Sequence, residues 1–549
     1  MAKQLPVQGM TCSHCETAIA EAISSVGAVP LEVRHAKGTA LVDPAGVSED
    51  VVRTAIKRAG YSTGPWLEVG GDTQAPAPEP SDGSSNIFDL VVIGSGSAAF
   101  GAAITASDAG RRVAVVEAHT VGGTCVNVGC VPSKALLAAA TEHHRAGHHP
   151  FHGIATSPGA VDMGAVVEQK NGLVDTLRKE KYLDLAADYG FTIVHGRARL
   201  EPPATVVVGE QRIRAERVII ASGVEPSIPP IEGLTDMPYL TSTSALDLTV
   251  LPEHLIVIGA NAIGLELGQA FLHLGAAVTF LEAAPTVAPL EEPEVVEVIA
   301  GVLADEGAVV RTGVTIRRVT RDGAGIAVEL EMAGSAETVR GSHLLVATGR
   351  RPSFTGMGLE DVGVELDDRG FIRVDPELRT TAPGVLAAGD VAGVPQFVYV
   401  AARSGGLAAR NAFAEQPESL DLTALPRIVF TTPQIAVAGM TDEEANRQGY
   451  TCECRVLPLD AVPRALVNHD TRGVVKIVAD ATTRRVLGVS IVADGAGDVI
   501  LAAVYAIKFG ITVEQLADTW GPYLTMGEAL KLAAQTFTRD VSKLSCCAA

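Results

Sequence analysis

Basic residues are scarce in this sequence, and that scarcity excludes several kinds of partner. The chain has 43 lysines and arginines against 64 aspartates and glutamates, which gives a formal net charge of −21 over 549 residues. Nucleic-acid binding and attraction to an anionic membrane surface both depend on clustered positive charge. We therefore expect no nucleic-acid partner and no membrane insertion.

Long hydrophobic runs are also absent. No stretch approaches the roughly 18 apolar residues of a membrane-spanning helix. The first residues, MAKQLPVQ, lack the basic start and apolar core of a signal peptide. These two absences predict a cytoplasmic protein.

Cysteine is rare too, but its distribution is uneven. Six of the eight cysteines form three close pairs in the sequence, at Cys12 and Cys15, Cys125 and Cys130, and Cys546 and Cys547. In a reducing compartment such pairs indicate metal binding or redox chemistry more readily than structural disulfides. Three pairs in one chain suggest that a soft, thiol-binding substrate passes between them.

The length predicts about three to four domains. Residues 1–67 form a compact unit in which strands (Gln4–Val7, Thr39–Val42) alternate with helices (Cys15–Ser25, Glu49–Arg58). Residues 68–85 are rich in Gly, Pro and Ser without an apolar period, which predicts a flexible linker.

After the linker, a strand, a glycine turn, a helix and a second strand occur in that order twice. The first copy carries Gly94, Gly96 and Ala99 in the spacing GxGxxA, and its second strand ends at Glu117. The first glycine makes the tight turn, the second lets backbone approach a pyrophosphate, and the small third residue allows close packing. A terminal acid can bind ribose hydroxyls, so the pattern predicts a dinucleotide site.

The second copy has Gly259, Asn261, Gly264 and a terminal Glu282. Asparagine crowds a pyrophosphate more than glycine does, so a degenerate structural repeat stays open as an alternative. The segment EAAPTVAPLEEPEVVEV, which begins at Glu282, contains no Arg or Lys for a 2′-phosphate. The local sequence therefore favours NADH over NADPH.

The segment 122–134, GGTCVNVGCVPSK, resembles the active-site motif of the pyridine nucleotide-disulfide oxidoreductases. The stretches TGRRP at 348–352 and LAAGD at 386–390 add to the resemblance, which covers roughly residues 86–540. It implies an α/β fold with two Rossmann-like domains and a C-terminal α+β dimerisation domain. The implied bounds are 86–235 with 350–420 for FAD, 236–349 for NADPH or NADH, and 421–549 for dimerisation.

The resemblance also implies roles for individual residues. Hydride would pass from nicotinamide to flavin, and the flavin would reduce a Cys125–Cys130 disulfide. Cys130 would be the thiolate beside the flavin, Cys125 the attacking thiol, and Lys134 would pair with Glu266. The implied FAD-binding residues are Gly94, Gly96, Ala99, Glu117, Gly123, Thr124, Lys134 and Asp390, and those for NAD(P)H are Gly259, Asn261, Gly264, Glu282 and Gly349.

The C-terminal segment departs from the disulfide-reducing members of this family. Those members carry a histidine in HPxxxE that protonates the leaving thiol. Anchoring the comparison on Glu528 places Tyr523 at the histidine position. A phenol with a pKa near 10 is a poor proton shuttle at neutral pH, which disfavours a disulfide substrate.

The tail, with Cys546 and Cys547, resembles instead the members of the family that reduce Hg(II). Soft thiolates select soft metal ions. The resemblance implies a homodimer with an active site shared between subunits, in which the tail passes Hg(II) from small-thiol complexes to Cys125 and Cys130. Tyr182 and Tyr523 would line this inner site. The alternatives are a lipoamide- or glutathione-type disulfide reductase fused to a metal-binding module, and a metal-sequestering protein.

The loop GMTCSHC at 9–15 resembles that of the heavy-metal-associated domain, a βαββαβ ferredoxin-like fold. Cys12 and Cys15 would then capture a soft metal ion, with a thioredoxin-like redox pair as the alternative. Two further groups receive no role. We expect His143, His144, His148 and His149 to lie at a solvated helix end or loop, and Cys452 and Cys454 to share one face of a strand.

Overall fold

The computed structural model describes residues 3–8, 19–20, 22–34, 39–58, 61–63, 67–68, 87–202, 205–540 and 543. The chain divides into two compact units, residues 1–87 and 88–549, which are described separately. Cys12, Cys15, Cys546 and Cys547 lie outside the described residues, as do residues 69–85 of the predicted linker.

The N-terminal unit is an antiparallel sheet with helices packed on it. Its element order is βαββαβ, as the sequence predicts, with helical residues at 19–20 and 22–25 and a helix over Glu49–Arg58. Leu5, Ile23 and Ile56 are fully buried between the two layers. The strands, in sheet order, are Val29–Arg34, Thr39–Asp43, Lys3–Gln8 and Ser62–Thr63, with Leu67–Glu68 also paired to Lys3–Gln8.

The second unit begins with a sheet whose central strands are buried on both faces. All five residues of the strand Val113–Glu117 are buried, which explains its unbroken apolar run. The short strand Val385–Ala387 returns from far along the chain to pair in parallel with Gln211–Ile220. The other strands, in sheet order, are Thr192–His195, Val113–Glu117, Ile87–Ile93, Gln211–Ile220, Thr205–Val208 and Ala198–Glu201.

The second dinucleotide-type fold lies between two parts of the first. It has a parallel sheet in the order Val309–Arg311, Ala277–Leu281, His254–Ile258 and His343–Val346. Beside it lies an antiparallel sheet of Val314–Asp322, Gly325–Met332 and Ser335–Gly341. Where the chain enters and leaves this region, Val224–Pro226 pairs with Arg350–Pro352.

The C-terminal part is a five-stranded antiparallel sheet covered by helices, which agrees with the predicted α+β domain. Its strands, in sheet order, are Pro426–Val429, Gln434–Gly439, Val486–Ala493, Val474–Asp480 and Cys452–Pro458. Buried Lys476 of this sheet forms 3.0 Å ion pairs with Glu292, Glu294 and Asp442. The two glutamates belong to the second dinucleotide-type fold.

The helices of the second unit range from one and a half to five turns. They are Ser97–Asp108, Gly123–Val128, Cys130–Gly147, Met163–Arg178, Asp184–Tyr189, Ala262–His273, Pro293–Asp305, Val398–Phe413, Asp442–Arg447, Pro463–Asn468, Ala496–Lys508, Val513–Asp518 and Gly527–Gln535. Within the described part of the chain, no helix has the length and apolarity needed to cross a membrane.

Gly405 sets the distance between two packed helices in the part of the chain that contains the first glycine turn. A Cβ atom at Gly405, in Val398–Phe413, would lie 1.9 Å from the backbone oxygen of Ala98 in the facing helix. We expect Gly405→Ala to force these helices apart and to destabilise the protein by about 1–3 kcal/mol. Thermal unfolding followed by circular dichroism would measure the loss.

Gly172→Ala is the matched control, because Gly172 also lies in a helix but has open space around it. We expect that change to be neutral or stabilising by up to about 1 kcal/mol. Equal unfolding midpoints for the two variants would contradict the packing argument.

Candidate active site

The two cysteines of the GGTCVNVGC segment lie on consecutive helices that break at Gly129. Cys125 lies in Gly123–Val128, and Cys130 is the first residue of Cys130–Gly147. A Cβ atom at Gly129 would lie 2.8 Å from the backbone oxygen of Thr124, so glycine permits the tight junction. A helix N-terminus favours negative charge, which suits a thiolate at Cys130.

The two sulfur atoms are electrostatically unequal. A hydrogen bond from the Cys125 side chain lowers the pKa of Cys130 to about 6; burial opposes this shift, and the charges of Lys134 and Arg350 assist it. The same hydrogen bond, followed by burial and the Cys130 charge, raises the pKa of Cys125. In the reduced state these opposite shifts favour a thiolate at Cys130 and a protonated thiol at Cys125.

Lys134 and Glu266 form the ion pair that joins this helix to the second dinucleotide-type domain. The Lys134 Nζ atom lies 2.7 Å from Glu266 Oε2, and the carboxylate is nearly buried. Glu266 Oε1 accepts a 2.9 Å hydrogen bond from the backbone N–H of Phe430. The Lys134 ammonium also lies 4.5 Å from the centre of the Phe430 ring.

The first glycine fingerprint forms a close backbone turn. Gly94 has a φ of +110°, and a Cβ atom there would lie 2.3 Å from the Ala221 oxygen. Glu117, at the end of the second strand, accepts hydrogen bonds from the Ser95 hydroxyl at 2.5 Å and from the His119 backbone N–H at 2.6 Å. These bonds hold its carboxylate at the rim of a large cavity.

This cavity has a volume of about 1470 Å³, and residues of both glycine fingerprints and the cysteine pair line it. Ser222 lines it, and within the described chain the buried Ser222 hydroxyl oxygen has no hydrogen-bond partner. An open volume of this size with an unsatisfied polar atom fits an extended polar ligand such as FAD. The predicted FAD residues along its wall are Gly94, Gly96, Glu117, Gly123, Thr124, Lys134 and Asp390; Ala99 is fully buried in the helix behind them.

The second fingerprint opens into the same cavity. The Asn261 side chain accepts a 2.9 Å hydrogen bond from the backbone N–H of Ala262, so it caps the helix Ala262–His273. A Cβ atom at Gly264 would lie 1.9 Å from the Gly259 oxygen, which enforces close helix–strand packing. Glu282 accepts hydrogen bonds from two backbone N–H groups. Gly259, Asn261, Glu282 and Gly349 line the cavity, whereas Gly264 lies in the packing layer.

Tyr182 lies beside the cysteines through a local change of helix type. It belongs to a π-helical turn, Lys179–Leu183, that joins two α-helices. Its ring packs edge-to-face on Phe100 with centroids 4.7 Å apart. Burial raises the pKa of Tyr182, a hydrogen bond with Ser97 opposes that shift, and charges on Cys125 and Cys130 add to it.

Tyr523 is not among the described residues that line the cavity of the single chain. Its side chain is about half exposed on the C-terminal part. The structure therefore brings Tyr182, Lys134 and Glu266 to the cysteine pair and leaves Tyr523 on the surface.

Two cavity residues were missed by sequence reasoning. Tyr399 donates a 2.5 Å hydrogen bond to the Pro426 oxygen, and its pKa is raised to about 12, first by burial and also by the Cys130 charge. No motif surrounds it, so the sequence offers no signal. Arg350 lies within TGRRP, which the sequence did highlight. Its charge helps to lower the pKa of Cys130, and it opposes the burial that raises the pKa of Asp390.

Comparison with known families agrees with this architecture. The family described as pyridine nucleotide-disulphide oxidoreductase matches residues 88–405, and its dimerisation domain matches residues 425–534. The chain belongs to the pyridine nucleotide-disulphide oxidoreductase family. The resemblance and the α/β fold class inferred from the sequence are thereby confirmed, and the C-terminal part is the family's dimerisation domain.

Individual members of the family are similar over long stretches. A mercuric reductase of Bacillus cereus is 46% identical, covering 99% of this chain and 87% of its own length. A mercuric reductase of Streptomyces lividans is 50% identical over 84% of this chain and 98% of its own length. Among solved structures, the Cu(II) complex of the flavoprotein disulfide reductase RclA from Escherichia coli has a TM-score of 0.75 and 31% identity, covering 83% of this chain and all of its own.

The asymmetry of the cysteine pair predicts a pH titration. In the FAD-loaded, reduced protein, we expect the long-wavelength absorbance of a thiolate–flavin contact to be present above about pH 6 and lost below it, because Cys130 becomes protonated. Lys134→Met removes a charge that stabilises this thiolate, so the midpoint should move upward. Absorbance titration of the two proteins measures the shift.

Lys181→Met is the matched control, since Lys181 is exposed next to Tyr182 and the Cys130 pKa shift does not depend on it. We expect that variant to titrate like the unmodified protein. An unchanged midpoint in Lys134→Met would contradict the assigned electrostatic role.

Proposed function

We propose that this chain reduces Hg(II) to Hg(0) with electrons from NADPH or NADH. The observation that carries the proposal is the Cys125–Cys130 pair, which lines the cavity that both dinucleotide fingerprints share. Full-length relatives that bear the name mercuric reductase support the choice of substrate. FAD, when bound, carries two electrons from the nicotinamide to the cysteine side of the cavity.

The overall reaction balances as a two-electron transfer. A Hg(II) bis-thiolate, one NAD(P)H and one proton give Hg(0), NAD(P)⁺ and two thiols. Cys130 enters as a thiolate, and Cys125 loses its proton when it becomes the second sulfur ligand. Hg(II), a soft ion, suits two thiolates better than oxygen or nitrogen ligands.

Tyr523 stands where the disulfide-reducing members carry their proton-donating histidine, which favours a metal ion over a disulfide as substrate. Among the described residues of the single chain that line the cavity, His119 is the one histidine, and it lies beside Glu117 in the first fingerprint. Disulfide reduction requires a proton donor for the leaving thiol. Reduction of Hg(II) frees its two sulfur ligands as thiolates, which need no proton donor to leave the metal ion.

The site is proposed to be completed in a homodimer. The dimerisation domain exposes large aromatic side chains, with Trp520 97% and Phe509 71% exposed in the single chain. Such an apolar surface is typical of a subunit contact. Cys546 and Cys547 of one subunit would deliver Hg(II) to the cysteine pair of the other, where Tyr523 would join Tyr182.

The N-terminal unit is proposed to capture Hg(II) through Cys12 and Cys15, which the loop sequence GMTCSHC supports. Small-molecule thiols would deliver the ion to the tail by the same ligand exchange. The coenzyme is proposed to be NADH by preference. Glu282 already accepts two backbone hydrogen bonds, and a carboxylate there would repel a 2′-phosphate.

We expect NADH oxidation that depends on Hg(II) in excess small thiol, with one mercury atom released as vapour per NADH consumed. Cys125→Ser and Cys130→Ser should each reduce the rate by roughly 10³-fold or more, because the two sulfurs act as a unit. Parallel assays with NADPH test coenzyme preference, and glutathione disulfide tests the alternative substrate.

The double variant Cys452→Ala, Cys454→Ala is the matched control, because it removes two sulfurs from the sheet strand Cys452–Pro458. That variant should retain activity. Rapid turnover of glutathione disulfide without mercury release would contradict the proposal.

The proposed delivery route makes a separate prediction. Cys546→Ala with Cys547→Ala should greatly reduce turnover when Hg(II) arrives bound to a small dithiol. The dithiol occupies both sulfur-ligand positions of Hg(II), so the tail thiols are needed to displace it. Steady-state rates at limiting Hg(II) measure the effect. Unchanged rates in this double variant would rule out the tail as a relay.

A further inference from the structure

Three helices end at one point beneath the surface of the second unit. His144 lies in the last turn of Cys130–Gly147, His273 is the last residue of Ala262–His273, and Glu306 caps Pro293–Asp305. The carboxyl end of a helix carries partial negative charge. Three such ends directed at one cluster favour a cation there.

The side chains of these residues form a compact donor set. One nitrogen from each histidine and a carboxylate oxygen of Glu306 all lie within 4.8 Å of one another, the one such group of three among the described residues. His273 Nε2 is 3.0 Å from Glu306 Oε2, and His144 Nε2 is 3.9 Å from Oε1. His144, 15% exposed, is the accessible member, whereas the other two are buried.

An unsatisfied oxygen points into the same cluster. Glu306 Oε2 accepts hydrogen bonds from Gln269 and His273, but Oε1 is buried without a hydrogen-bond partner. The Arg472 guanidinium forms a 3.6 Å ion pair with Oε1, whereas its shorter contacts, two hydrogen bonds of 2.9 Å, are donated to Asp470. A buried carboxylate oxygen in this state is costly unless a further ligand satisfies it.

We propose that His144, His273 and Glu306 bind a divalent metal ion of the Zn²⁺ class. Two imidazoles and a carboxylate suit Zn²⁺, while the absence of thiolate among these donors disfavours Hg(II). Zn²⁺ bonds of about 2.0–2.1 Å place tetrahedral ligands roughly 3.3 Å apart, close to the His273–Glu306 distance. Ligation through Nε2 requires an unprotonated Nε2, so the ion replaces the hydrogen bond between His273 and Glu306.

The His144 ring must move for the ion to enter. His144 stacks on His273 with ring centroids 3.9 Å apart and on His148 at 4.2 Å. Because both ring planes must point at the same ion, His144 tilts away from His273 and brings Nε2 closer to Oε1. The exposed His148 ring must shift with it, and the partial exposure of His144 provides the entry path.

The metal ion would connect the helices Cys130–Gly147 and Ala262–His273, which are also joined by the Lys134–Glu266 ion pair. Cys130 and His144 occupy opposite ends of one helix, about 20 Å apart at 1.5 Å per residue. At that distance a metal ion takes no part in chemistry at the thiols. Its effect is therefore on stability, and this proposal is independent of the substrate reduced at the cysteine pair.

The test uses the full-length, FAD-loaded protein with its cysteines alkylated, so that thiolates cannot hold the probe metal. Equilibrium dialysis with ZnCl₂ and metal analysis should give one zinc per chain at this site, with a higher unfolding temperature. His144→Ala and Glu306→Gln should weaken binding at least tenfold and abolish the thermal shift. Flavin absorbance and circular dichroism verify that each variant is folded.

His149→Ala is the matched control, because it removes a partly buried imidazole of the same segment that lies outside the cluster. It should bind zinc like the unmodified protein. With Cu²⁺ as the probe, electron paramagnetic resonance should show coupling to two imidazole nitrogens, reduced to one in His144→Ala. Zinc uptake that is absent in the alkylated protein, or equal in the ligand variants, would overturn the proposal.

Discussion

The Lys134–Glu266 ion pair is the constraint on which the active site depends. Lys134 lies one turn after Cys130, Glu266 lies on the helix that follows the second fingerprint, and Phe430 of the dimerisation domain donates its backbone N–H to the same carboxylate. Three domains thus meet at one nearly buried charge. Removing one partner from such a pair strands the other in a low-dielectric setting, so the three domains are held in one arrangement by electrostatics as well as by packing.

Local sequence patterns predict those parts of the structure in which a position requires one particular residue type for a steric or chemical reason. Gly94 and Gly259 occur where a side chain would collide with a neighbouring strand, and the segment 122–134 contains both the helix break at Gly129 and the two thiols. Those requirements act over a few residues, which is why the fingerprints, the redox pair and the fold class follow from the sequence. The pattern did not predict the bond at Asn261, whose side chain accepts the Ala262 N–H and so caps its own helix.

Residues that reach a site across the fold were not predictable in that way. Tyr399 lies in the first turn of Val398–Phe413, far along the chain, and only the fold brings it within electrostatic range of Cys130. His144 was expected at a solvated helix end, but its ring contacts buried His273 and Glu306, more than a hundred residues away. No periodicity connects such positions, because their proximity depends on how helix ends converge and not on the spacing along any one helix.

The π-helical turn at Lys179–Leu183 has a consequence for how this region can vary between related chains. A π turn holds one more residue than the α-helical turn it replaces, so residues on either side keep their helical faces while the turn itself bulges. Tyr182 points at Phe100 because of that additional residue. Deletion of one residue from this turn would leave a continuous α-helix and an intact core. The tyrosine side chain would then project in a different direction. The number of residues in this turn, together with the identity of residue 182, thus determines whether a phenol lies beside the thiols.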